Sequence, residues 1–212
     1  AGMALGTAPR YRGGTSAASN SVWLGDATGA TTRLGYFNTE HTASDGTQQS
    51  DAFALTPTGF AAGRSRRYDG AATNVRGWSA WVYRLDVGYR TVGLRDAEHT
   101  RLNGSRLSEF AAINSAGQVV GTSNRYTTSP DTQVGVSAFI DDAATGSVRI
   151  GLFDAEHTRS DQFRTVEGLT LTEGGLASGR SQRFARSAAR GWSAWAYRPD
   201  IGTRRLGLTD GA

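Results

Sequence analysis

Residues 77–100 read Gly-Trp-Ser-Ala-Trp-Val-Tyr-Arg-Leu-Asp-Val-Gly-Tyr-Arg-Thr-Val-Gly-Leu-Arg-Asp-Ala-Glu-His-Thr, and they decide the fold because the chain repeats them. Ser79-Ala80-Trp81 returns as Ser21-Val22-Trp23, Ser137-Ala138-Phe139 and Ser193-Ala194-Trp195. Val92-Gly93 returns as Leu34-Gly35, Ile150-Gly151 and Leu206-Gly207, and Glu98-His99 as Glu40-His41 and Glu156-His157, each followed by threonine. A Gly-x-x-x-Gly segment closed by Arg-Tyr or Arg-Phe precedes them. It runs from Gly2 with Arg10-Tyr11, from Gly59 with Arg67-Tyr68, from Gly117 with Arg125-Tyr126 and from Gly175 with Arg183-Phe184. The glycines at 35, 93, 151 and 207 recur at intervals of 58, 58 and 56 residues, so repetition is the signal to read first.

Inside one repeat, short apolar runs alternate with turn residues, the pattern of a strand-rich unit. In the third period Phe110–Asn114 and Val119–Ser123 flank a turn at Ser115–Gln118. After a polar loop at Thr127–Val134 follow Val136–Ile140 and Val148–Phe153. This predicts four strands per unit. Serine, alanine and glycine inside the strands predict sheets packed face to face at close range. A four-stranded unit of this length is the signature of a β-propeller blade, because one small sheet cannot cover both its apolar faces and stacking does so. The expectation is therefore an all-β, β-propeller-like single domain over residues 1–212. Its four repeats start near Gly2, Gly59, Gly117 and Gly175. An open array of the same sheets is the runner-up, and a β-sandwich leaves the four copies unexplained. The first strand recurs three times (Phe53–Leu55, Phe110–Ile113, Leu169–Leu171) and each other strand four times. The count is fifteen strands, with the chain entering at a second strand (Met3–Ala8) and leaving after a fourth (Arg205–Thr209).

Composition sets the remaining bounds. The chain has 212 residues, 38% hydrophobic, with 28 glycines and no cysteine, which excludes disulfides and thiolate metal sites. No apolar run is long enough to span a bilayer, so no membrane insertion is expected. The net charge is +4, and every basic residue is arginine. Absence of lysine suggests GC-rich coding DNA and a bacterial source. The arginines are scattered rather than gathered into a stripe, so no nucleic-acid partner is expected. The start at Ala1-Gly2-Met3 reads as a processed mature chain or an excised fragment.

Ala116-Gly-Gln-Val-Val-Gly121, Ser79-Ala-Trp-Val-Tyr83 and Asp96-Ala-Glu-His-Thr-Arg101 resemble the HAF-type extracellular repeat proteins of bacteria, especially the long arrays of planctomycete-like surface proteins. The resemblance runs repeat by repeat over nearly the whole chain. It implies secretion, a propeller-like β fold and a role at the cell surface or in a matrix. It brings no catalytic residues.

The repeated polar residues are read as structural. Asp96-x-Glu98-His99 and Asp154-x-Glu156-His157, with the weaker Asn38-x-Glu40-His41, carry carboxylate and imidazole groups that suit a divalent ion. Each set alone offers at most three ligands, two of them splayed apart if the segment is extended. A hydrogen-bond clip between neighbouring repeats is expected instead, with no metal and no cofactor. Trp23, Trp81, Phe139 and Trp195 are expected to pack between repeats. Trp78 and Trp192 occur in two repeats only and are the candidates for stacking on a sugar. Arg10, Arg67, Arg125 and Arg183 are expected to pair with the repeat's glutamate or stack on an aromatic ring. No nucleophile elbow, P-loop or EF-hand spacing occurs, and no nucleophile–base–acid set is apparent. The expectation is a non-catalytic extracellular structural or adhesive domain, a subunit of a surface layer, appendage or filament. It would self-associate through the incomplete sheet edge. The alternative is a carbohydrate-binding propeller module that takes surface glycans.

Overall fold

A computed structural model gives the fold; it describes residues 2–11, 17–69, 74–128 and 131–207, and for residues 17 and 18 the backbone alone. The chain is all-β, with several sheets and three single 3₁₀ turns among the described residues. It divides into two compact units, Ala1–Val92 with Gly104–Leu107, and Gly93–Asn103 with Ser108–Ala212.

In the first unit β1 (Ala4–Tyr11), β2 (Ala17–Gly25) and β3 (Thr31–Leu34) form a three-stranded antiparallel meander. Then β4 (Ser50–Leu55), β5 (Ala61–Tyr68), β6 (Val75–Arg84) and β7 (Gly88–Val92) form a four-stranded one. Next, β8 (Arg106–Ile113), which belongs to the second unit from Ser108 onward, forms one meander with β9 (Val119–Tyr126), β10 (Gln133–Asp142) and β11 (Gly146–Ile150) of that unit. The last is β12 (Val166–Leu171), β13 (Ala177–Ala185), β14 (Ala188–Arg198) and β15 (Gly202–Arg205). The fifteen strands follow the predicted order, and several run longer than predicted. Leu152 and Phe153 lie beyond the end of β11, and the expected end of the last strand near Thr209 lies outside the described residues.

Register repeats as closely as sequence. Gly6 stands opposite Trp23, Gly63 opposite Trp81, Gly121 opposite Phe139 and Gly179 opposite Trp195. The glycines are needed where the aromatic ring lies over the neighbouring strand. A Cβ on Gly179 would stand 2.7 Å from the Trp195 ring and 2.8 Å from Leu169, and one on Gly63 would stand 2.6 Å from the Asp51 carbonyl. These close approaches lie within one sheet, between the glycine strand and its two neighbours.

In each unit the second sheet turns its aromatic face to the aliphatic face of the first. Trp81 and Tyr83 pack against Val22, Leu24 and Leu34 in one unit. Trp195 packs against Ala138, Ile140 and Ile150 in the other. Serines stitch these faces together. Ser65 Oγ accepts from Trp81 Nε1 at 3.0 Å and from the Tyr36 amide at 2.9 Å. Ser181 does the same for Trp195 at 3.0 Å and the Leu152 amide at 3.2 Å.

Trp23 departs from its expected role. It is 38% exposed, whereas Trp81, Phe139 and Trp195 are fully buried. The aliphatic side of β2 is covered by β5 and β6, but its Trp23 side has no preceding sheet among the described residues.

Candidate functional site

The Glu-His segments are not extended. Each forms a single 3₁₀ turn, at Thr39–His41, Ala97–His99 and Ala155–His157. In the second and third turns the aspartate three residues before the histidine caps the turn, accepting from the histidine amide at 3.2 and 3.1 Å. This corrects the expectation of splayed ligands. The turn gathers one ligand atom from each of Asp96, Glu98 and His99 within 4.8 Å of one another, and likewise from Asp154, Glu156 and His157.

What the gathered atoms do is set by their hydrogen bonds. His99 Nδ1 lies 2.6 Å from Asp96 Oδ1, and His157 Nδ1 2.7 Å from Asp154 Oδ1. His41 Nδ1 lies 2.6 Å from Asn38 Oδ1, with its Nε2 2.9 Å from Ser79 Oγ. An amide oxygen only accepts, so His41 carries its proton on Nδ1 and takes the Ser79 hydroxyl proton as an acceptor on Nε2. All three histidines are buried. Burial lowers the pKa of His41 to about 4, with Arg67 and Arg106 adding to the effect and Glu40 opposing it. Burial also lowers that of His99, against the pull of Asp96.

The chain Ser79–His41–Asn38 has the connectivity of a nucleophile, base and orienting group, which the sequence did not reveal. Ser79 is buried, and the cleft of about 270 Å³ beside this turn is lined by Thr39, Glu40, Arg67, Tyr68, Asp69, Arg76 and Gly104, not by Ser79 or His41. His99 and His157 carry no hydrogen bond at Nε2. The arrangement pins the turn to β6 rather than presenting a hydroxyl to solvent.

Each glutamate is enclosed by guanidinium groups. Arg67 Nε donates to Glu40 Oε1 at 3.0 Å, Arg125 Nε to Glu98 Oε1 at 2.8 Å and Arg183 Nε to Glu156 Oε1 at 2.6 Å, each pair 27 residues apart. Arg67 and Arg125 add a second bond through Nη2. A further arginine closes each site: Arg106 on Glu40 at 3.3 Å, Arg149 on Glu98 at 2.8 Å, Arg205 on Glu156 at 2.8 Å. Arg164 stands 3.6 Å from Glu98. Burial pushes the Glu40 and Glu98 carboxyls up, but the arginines outweigh it and the net shift is downward. For Glu156 the Arg183 hydrogen bond itself leads the downward shift. A divalent cation would have to displace arginines from these carboxylates and compete with the histidine–aspartate bond. The donor set fits an ion-pair clip better than a metal centre.

The same arginines also hold backbone. Arg67 Nη1 donates to the carbonyls of Gly104 (2.8 Å) and Arg76 (3.3 Å). Arg125 Nη1 donates to those of Gln162 (2.7 Å) and Val134 (3.3 Å). Arg10 has no glutamate: it donates to the Gln48 carbonyl at 3.2 Å, and it shares Gln48 Oε1 with Arg33.

Trp78 and Trp192 are half-buried. Arg64 lies 4.4 Å and Arg66 5.2 Å from the Trp78 ring centre, and Arg180 lies 5.0 Å from that of Trp192. A sugar would have to share these rings with the guanidinium groups. The residues that sequence reasoning missed are Ser65, Ser123 and Ser181. Their signal was present: each follows the second glycine of the Gly-x-x-x-Gly segment by two positions. Comparison with protein-family models, curated proteins and solved structures finds no match to the chain.

Proposed function

We propose that this chain is a non-catalytic structural or adhesive repeat domain of the bacterial cell surface, propeller-like in arrangement and related to the HAF-type repeat proteins. One observation carries the reading: the glutamates, the histidine Nδ1 atoms and the buried tryptophan N–H groups that recur with the repeat are held by partners within the chain. Glutamates are closed by arginines, histidines by carboxylate or amide oxygens and by burial, and the buried tryptophan N–H groups by serines. The Ser79 hydroxyl and the three histidine rings, the groups that a hydrolytic site would present to a substrate, are buried. Repetition of a clip is what a modular building block requires, since each sheet must be held to the next in the same way.

In this reading the domain is secreted and assembles into a layer, appendage or filament. Among the described residues no outer strand pairs with the edge of β1, a site for strand addition. Electron microscopy of the concentrated protein, together with glycan-array binding and labelling by a fluorophosphonate, tests it. Ordered assemblies without glycan binding or labelling are expected. A strict monomer that binds glycans through Trp78 and Trp192 would replace it with a lectin, and labelling at Ser79 would make the protein a hydrolase.

A further inference from the structure

Two sheets expose opposite halves of the contact that the molecule makes internally. On β2 the half with the aromatic residue is open: Trp23 is 38% exposed, Gly6 beside it is exposed, and a Cβ on Gly6 would meet nothing within 4 Å. In the equivalent places Trp81 and Trp195 are fully buried. On β14 and β15 the aliphatic half is open. Ala194 is exposed, Ala196 half-buried and Leu206 49% exposed. Their counterparts in the first sheet, Val22, Leu24 and Leu34, are buried, as are Ala138, Ile140 and Ile150 in the third. The pairing that defines these positions is the same throughout. Val22 stands opposite Leu34 and Ala138 opposite Ile150, and the Leu206 amide donates to the Ala194 carbonyl.

We infer that the exposed Ala194–Ala196–Leu206 face of one copy docks on the exposed Trp23 face of a second copy. The occupant is specified by complementarity already realised twice in the chain. The Trp81 face takes Val22, Leu24 and Leu34, and the Trp195 face takes Ala138, Ile140 and Ile150. A face of either type matches the other type and not itself, so the contact is heterologous. A heterologous contact continues head to tail until a ring closes or a filament grows. Apolar area that would be wetted in a lone molecule is covered at each junction. This rests on the building-block reading above and names the surface by which the blocks join, a sheet face rather than the β1 edge.

Sedimentation velocity over a wide concentration range tests it with the whole chain and four single variants. Trp23→Asp and Gly6→Glu spoil one face; Leu206→Asp and Ala194→Glu spoil the other. All four positions are exposed, and circular dichroism checks the fold of each. The unaltered chain should rise in mass with concentration beyond the dimer. Each variant alone should remain monomeric. An equimolar mixture of Trp23→Asp and Leu206→Asp should form dimers and nothing larger, since one intact face of each type remains. A monomeric parent at every concentration overturns this inference and the building-block reading together. Assembly that ignores all four variants overturns only the faces and returns the junction to the β1 edge. Dimers of a single variant overturn the head-to-tail geometry.

Discussion

The buried clip Arg125–Glu98 and the exposed clip Arg183–Glu156 are the same two residue types at the same spacing in different surroundings, so they separate burial from geometry. Arg125 is 2% exposed at the side chain, against 39% for Arg183. Replacing Arg125 by Met keeps most of its volume. It strips the Gln162 and Val134 carbonyls of a charged donor and leaves Glu98 to Arg149 and Arg164. Breaking one side of a buried pair costs about 3–5 kcal/mol. Glu98→Gln removes the carboxylate that Arg125 contacts and leaves three guanidinium groups converging on a neutral amide, a loss on the order of 2–4 kcal/mol. The double variant removes the deeply buried Arg125 charge together with its partner, so its loss should fall short of the sum by about 2 kcal/mol. For Arg183 and Glu156, solvent screens the pair and the coupling should be about 0–1 kcal/mol. Urea unfolding of the parent and all six variants, followed by circular dichroism, gives both cycles. Additive losses at Arg125 and Glu98, or equal coupling in the two pairs, would refute the claim that the clip holds the sheets by buried charge.

Gly179→Ala should lower stability by about 1–3 kcal/mol, because its Cβ meets the Trp195 ring and Leu169, whereas Gly6→Ala should be neutral or slightly stabilising; thermal melts of the two distinguish them. Ser181→Ala removes the acceptor of both the Trp195 ring N–H and the Leu152 amide and should cost about 1–3 kcal/mol, read by the same melts. Acid should destabilise the fold in two stages. His41 stays neutral in the fold down to about pH 4, while the unfolded chain takes up that proton near pH 6.5. Its contribution is therefore complete above pH 6.5 and falls as pH drops toward 4, by about 3 kcal/mol in all. Glu40 and Glu98, with lowered pKa, add a loss that begins near the unfolded carboxyl value and continues below it. His41→Gln should flatten the first stage in melts taken across that range, and an unchanged slope would show that His41 is not its source.

The strand order was legible because the information is local and repeated. Alternation in Ser79-Ala-Trp-Val-Tyr83 specifies a strand with one aromatic and one aliphatic face, and the glycine opposite each aromatic ring specifies close packing. The pairing of Arg125 with Glu98 was legible as residue types, since a recurring arginine and a recurring glutamate in a chain with few carboxylates are natural partners. The 3₁₀ turn was harder to see. Three residues carry no hydrophobic period, and the one signal was an aspartate placed to cap the histidine amide. The triad-like link from Ser79 to His41 was not legible at all: it joins residues 38 apart whose contact depends on how the turn sits on β6.

Trp23 shows what repetition alone does not carry. Ser21-Val22-Trp23 and Ser79-Ala80-Trp81 read alike, yet one tryptophan is wetted and the other sealed. A strand's own residues fix which side chains share a face; the neighbouring sheet fixes whether that face is covered. The hydrogen bonds follow the same division. Ser65, which receives the Trp81 ring N–H, is supplied by the same sheet, and its place beside Trp23 is taken by Ala8. Arg10 and Arg33, which correspond to Arg125 and Arg149, meet the amide of Gln48 where those meet a carboxylate. The first sheet therefore lacks the serine that would fix a buried Trp23 ring, and its Arg10 and Arg33 meet a neutral amide in place of a carboxylate. A face altered in this way tolerates water in the single molecule while keeping the aromatic side chain that a matching aliphatic face can cover. That combination favours association that is reversible and set by concentration over the permanent packing seen between sheets within each unit.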